Sequence, residues 1–175
     1  SSEEKAKELR KRLRETHKRV KDEIKRLKEE LEESHKRLEE RSRETLRKLE
    51  ELIKELNVSE EVLDELRRKL ERLEEEHKKY KEKSKRELEK IDEDVERYER
   101  DSRREEEETE KKLRKDGVVD TELEKDVRRV EEKNRRALED VRRKVEEVKE
   151  SNKRALEKNE RIVREVERRL REEKK

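Results

Sequence analysis

The chain has no cysteine, proline, methionine, phenylalanine or tryptophan, and it holds one glycine and two tyrosines. Without cysteine there are no disulfides and no thiol chemistry, and the redox compartment stays open. With no proline and a single glycine, almost nothing interrupts a helix. No apolar run approaches the ~18 residues of a membrane span, and no charged-then-apolar leader opens the sequence, so a soluble chain without a targeting signal is expected. Neither sign of charge prevails: 58 Lys and Arg alternate with 56 Asp and Glu, for a formal net charge of +2. That pattern lacks the basic patch that nucleic-acid binding requires.

What is present is charge and a thin apolar remainder. Charged residues make up 65% of the chain and hydrophobic ones 23%, close to the two in seven of a coiled-coil seam and below the share of a globular helix face. Each helix can therefore bury one narrow stripe. Such a composition also fits disorder or a lone charged helix. The seam and two turn signals argue against both.

The first turn signal is Leu56-Asn57-Val58-Ser59, where Asn57 suits a left-handed position, Val58 can fold back on the last turn and Ser59 can cap the next helix. The second is Asp116-Gly117-Val118-Val119-Asp120-Thr121, in which Gly117 ends one helix and Asp120 or Thr121 caps the next, with Glu124 completing a capping box from Thr121. Helices over 2–56, 59–116 and 120–174 follow, joined by turns at 57–58 and 117–119. At ~1.5 Å per residue they are rods of roughly 80 to 85 Å. Equal lengths and short turns predict a single all-α, antiparallel, up-down-up three-helix bundle.

The seam runs through Leu9, Leu13, Val20, Ile24, Leu27, Leu31, Leu38, Leu46, Leu49, Ile53 and Leu56 in the first helix. Val62, Leu66, Leu70, Leu73, Tyr80, Leu88, Ile91, Val95, Tyr98 and Leu113 form it in the second, and Leu123, Val127, Val130, Leu138, Val141, Val145, Val148, Leu156, Val163, Val166 and Leu170 in the third. An 18-residue repeat underlies it. Glu15-Thr-His-Lys-Arg-Val20 returns as Glu33-Ser-His-Lys-Arg-Leu38, Tyr80 and Ser84 as Tyr98 and Ser102, and Asn134 with Ala137 and Leu138 as Asn152 with Ala155 and Leu156. Eighteen residues are five turns of ~3.6, which suits nearly straight helices. The middle helix is acidic and the outer two are basic, so flanking charges favour this pairing. Glu105, Glu106 and Thr109 interrupt the second seam and read as a wetter end of the bundle.

All three histidines lie on the seam. In antiparallel pairs facing residues share a constant index sum, and sums of 118 or 119 for the first two helices and 236 for the last two give three levels: His17, Ser102 and Asn134; His35, Ser84 and Asn152; and Ser42, His77 and Asn159. Apart from Asn57 in the turn, every Asn and His of the chain is used. Random placement of six such residues on a two-in-seven seam has a chance on the order of 1 in 2000. Imidazole, amide and hydroxyl can satisfy most of one another's polar atoms inside an apolar bundle, and such layers fix register at some cost in stability.

Histidine adds a response to pH. Burial disfavours the imidazolium, so a folded pKa below the reference of ~6.5 is expected. Stability is then complete above the unfolded pKa and is lost as pH falls below it. Three such groups could remove at most ~6 kcal/mol at pH 5. Metal binding is not expected, because even the nearest two histidine levels lie seven residues, roughly 10 Å, apart along the rods. Nor is catalysis, since a thin bundle has little cavity and no oxyanion donors beside a His/Ser pair.

With its repeats, idealised turns, missing residue types and His-containing layers, the whole chain resembles computationally designed helical bundles with buried hydrogen-bond networks, in particular the pH-responsive class. The resemblance implies a synthetic, monomeric, non-enzymatic bundle that needs no cofactor, metal or partner. It also implies that the three triplets sense acid, and that an opened bundle can act on a membrane surface as some members of the class do. The apolar stripe here is narrow and lacks Trp and Phe. The alternative is a static scaffold whose layers serve structural specificity alone.

Overall fold

A computed structural model of the chain describes residues 2–55, 57–115 and 121–173. It contains three helices, α1 (Ser2–Glu55), α2 (Glu60–Lys115) and α3 (Thr121–Glu173), packed on one another as an all-α three-helix bundle. Acidic residues open each helix, Glu3 and Glu4 in α1, Glu60 and Glu61 in α2, and Glu122 and Glu124 in α3. Basic residues close them, Lys54, Lys115 and Arg171 among them. Both choices oppose the end charges of the helix macrodipole.

Ser59 caps α2 as expected, with the helix itself beginning one residue later at Glu60: its Oγ accepts the Val62 amide at 3.4 Å and its carbonyl accepts the Leu63 amide at 3.0 Å. Val58 packs against the apolar cluster beneath, as the fold-back reading expects. The second turn, 117–119, and the cap expected at Asp120 lie outside the described residues, while Thr121 is already the first residue of α3.

Helix directions follow from the pairing of residue numbers. Lys28 meets Asp92 and Glu39 meets Lys81, a constant sum between α1 and α2, so these helices are antiparallel. Glu105 with Lys133 and Asp94 with Lys144 show the same for α2 and α3. Between α1 and α3 it is the difference that holds, 119 for Arg12 with Glu131 and 118 for Ser34 with Asn152, so these two run parallel. Most such pairs carry a cation from an outer helix to an acid of α2, in keeping with the charge reading. Exposed pairs of this kind contribute ~0.2–1 kcal/mol each.

The chain divides into two compact units, to each of which all three helices contribute. Unit 1 comprises Ser1–Glu30 with Glu89–Glu146. Its core holds a cluster of Ala6, Leu9, Leu13, Leu113, Leu123, Val127 and Val130, together with buried Val20, Ile24, Leu27, Ile91, Val95, Val141 and Val145. Thr109, Ser102 and Asn134 are buried among them. Unit 2 comprises Leu31–Leu88 with Glu147–Lys175. Leu49, Ile53, Val62, Leu66, Leu73, Val166 and Leu170 form its main cluster, and Ser42, Ser84, Asn152 and Asn159 are its buried polar residues. A fully buried Leu or Val contributes ~1.5–3 kcal/mol, so these stripes supply the main cohesive energy.

Several seam expectations shift. At 155–156 the buried residue is Ala155, while Leu156 is half-buried, and Ala6 joins the core although the seam reading omitted it. Leu46, Leu70, Tyr80, Leu88, Tyr98, Leu138 and Val163 are also half-buried, so the apolar face is wider and wetter than a strict two-residue stripe. Among the described residues, no helix is long and apolar enough to cross a membrane.

Candidate polar layers

The layer of unit 1 has a carboxylate at its centre. His17 Nδ1 lies 3.0 Å from Glu106 Oε1, and the same oxygen is 3.1 Å from Ser102 Oγ and 3.5 Å from Asn134 Nδ2. Asn134 Oδ1 accepts from Tyr98 Oη at 2.9 Å and from Ser102 Oγ at 3.1 Å. The single proton of Ser102 thus serves two acceptors. Each acceptor has a second donor, the Tyr98 hydroxyl for the amide oxygen and the Asn134 amide for the carboxylate. Burial pushes the Tyr98 hydroxyl up to about 12, partly offset by its hydrogen bond with Ser102, so it remains a donor at ordinary pH.

This corrects the expected triplet. Ser102 and Asn134 meet, but His17 bonds Glu106 instead of either. Its side chain is 33% exposed and lines a cavity of about 200 Å³ with Arg10, Leu13, Arg14, Glu106 and Glu110, so it is not shielded from water. Glu106 is no wet interruption of the seam: its side chain is 18% exposed and it gathers the layer. Glu105 pairs with Lys133, and Thr109 is buried.

At the second level, His35 Nδ1 and Ser84 Oγ are 2.9 Å apart, whereas the Asn152 amide donates to Ser34 Oγ at 3.2 Å and not to that pair. Ser34 was not among the expected site residues. The repeat carried its signal, because a hydroxyl residue precedes both His17 and His35. Ser84 is only 2% exposed, so its hydroxyl is sealed from any substrate.

At the third level the Asn159 amide donates to Ser42 Oγ at 3.1 Å, with both residues buried. His77 closes no triplet: its Nδ1, Asn159 Oδ1 and Glu76 Oε2 are buried without hydrogen-bond partners. Burial holds the His77 imidazole below its ordinary value, and the neighbouring charge of Lys81 lowers it further, with Glu39 opposing and Arg43 adding to the effect. Glu39 is itself engaged by Lys81 at 2.6 Å, a hydrogen bond that holds its carboxyl below the usual range.

All three rings are half-buried at the margins of their layers, a correction to the expectation of fully enclosed imidazoles. The buried positions belong to Ser42, Ser84, Ser102, Asn134, Asn152 and Asn159. Among the described residues, no group of three or more acidic or histidine side chains could hold a metal ion. Comparison of the chain with protein-family models, curated proteins and solved structures finds no match.

Proposed function

We propose that the chain is a non-enzymatic, monomeric bundle of designed type whose polar layers set helix register and whose stability falls when histidine is protonated at mildly acidic pH. The observation that carries this reading is His77, a ring with a buried, unpartnered nitrogen, set beside two cations, Lys81 and Arg43, and beside one carboxylate, Glu39, that Lys81 already occupies. From α3, Lys158 pairs with Glu76, the residue before His77, at 3.3 Å. The carboxylate that acts on His77 is shared with Lys81, so an added proton there is only partly compensated.

The sign follows from the lowered folded pKa. Stability is complete above the unfolded value of ~6.5, declines as pH falls below it, and stops declining once pH passes the folded value. The loss at pH 5 is at most about 2 kcal/mol, and less for a half-buried ring that solvent screens. This favours partial loosening over complete opening. Register setting is supported by the buried Ser42–Asn159 and Ser102–Asn134 bonds, which contain no histidine. An uncatalytic role is supported by the sealing of Ser84, the serine in contact with His35.

Urea denaturation at pH 7.4 and pH 5 tests the reading. The midpoint of the parent is expected to fall with acid, and His77→Asn to remove the larger part of that fall. Equal midpoints for the parent at the two pH values would refute the acid response and leave a static scaffold.

A further inference from the structure

We infer that Glu106 is a built-in counter-charge that exempts unit 1 from the acid response, so that loosening is confined to unit 2. The inference rests on the acid response proposed above and assigns its location. His17 has charged neighbours on two helices. Arg10, Arg14 and Lys21 of α1 and Glu99, Arg103, Glu106 and Glu110 of α2 share its two flanking cavities, while α3 presents the neutral Asn134 amide to the layer. Arg14 is taken by Glu110 at 3.3 Å. Among the described residues Glu106 is the one of these that pairs with the ring, its Oε1 3.0 Å from Nδ1.

When His17 is protonated both ring nitrogens carry hydrogen, and Nδ1, 3.0 Å from Glu106 Oε1, gives the new charge a carboxylate partner at ion-pair distance. No group in the layer has to move, and Ser102 and Asn134 keep their partners. The histidines of unit 2 lack such a carboxylate. His35 meets the Ser84 hydroxyl, and the nearby Glu39 is bonded to Lys81. His77 is acted on by Lys81 of its own helix and by Arg43 and the occupied Glu39 of α1, and Glu76 beside it in the chain pairs with Lys158 of α3. The same proton therefore has a carboxylate at ion-pair distance in unit 1 and only the shared Glu39 in unit 2.

Hydrogen exchange followed by mass spectrometry on the intact chain, with rates corrected for intrinsic pH dependence, reads the two units separately. Between pH 7.5 and pH 5, protection in peptides from 31–88 and 147–173 is expected to fall ~tenfold or less, while 2–30, 89–115 and 121–146 hold within about twofold. Glu106→Gln is expected to lose protection in unit 1 at pH 5 relative to its own value at pH 7.5, where unit 1 of the parent holds. Adding His17→Asn to that variant is expected to restore acid resistance, because the group that takes up the proton is gone. Equal loosening of both units in the parent, or an acid-resistant unit 1 in Glu106→Gln, overturns the role of Glu106 while leaving the acid response standing. If unit 2 of the parent holds at pH 5, the acid response itself falls, and the Glu106→Gln comparison still decides whether the carboxylate protects unit 1.

Discussion

At the scale of single residues, the sensitivity of His77 depends on who holds Glu39. Lys81 both adds positive charge beside the ring and occupies the carboxylate that could neutralise an imidazolium. Lys81→Gln reverses both effects at once, raising the folded pKa of His77 toward its ordinary value and so narrowing the pH window in which stability is lost. The lost ion pair is partly exposed, with side chains 43% and 27% accessible, so the cost at pH 7.5 is ~1 kcal/mol or less. The expected outcome is a small drop in the urea midpoint at pH 7.5 and a difference between pH 7.5 and pH 5 reduced by about half or more. A difference as large as the parent's would mean that Glu39 and Lys81 play no part in the response.

At the scale of helices, the first turn and the axial levels were legible in the sequence, and partner choice within a layer was not. Asn57, Val58 and Ser59 announce a turn because each has a local conformational job, and Ser59→Ala is expected to cost ~1 kcal/mol by thermal or chemical unfolding, with the helix start frayed. No loss at all would show that the 3.4 Å contact from the Val62 amide contributes nothing. The index sums likewise brought Ser102 to Asn134 and Ser84 to His35, because helical rise fixes axial level. Rotation about the helix axis and side-chain length are not fixed by level. His17 therefore reaches one turn along α2 to Glu106, Asn152 turns to Ser34, and His77 stops short of Asn159. A carboxylate on a seam was the available clue to Glu106, since an acid in that place requires a donor.

At the scale of the molecule, two populations of titrating groups predict two separate losses of stability on acidification. The first belongs to histidine and begins below ~pH 6.5. The second belongs to carboxylates such as Glu39 and Asp94, each held below the usual range chiefly by a hydrogen bond from a lysine, Lys81 and Lys144. Groups with lowered folded pKa contribute stability that is present above the unfolded value of ~4 and is lost as pH falls through the folded value. Beyond that point 58 Lys and Arg stand without the 56 acids that balanced them, and self-repulsion opposes the compact state. A series of urea midpoints from pH 8 to pH 3 is therefore expected to show a shallow upper step and a steep lower one. The variant with His17, His35 and His77 all changed to Asn keeps only the lower step. An upper step that survives in this variant would assign the mild-acid response to the surface charges instead of the imidazoles, and a featureless parent curve down to pH 4.5 would remove that response altogether.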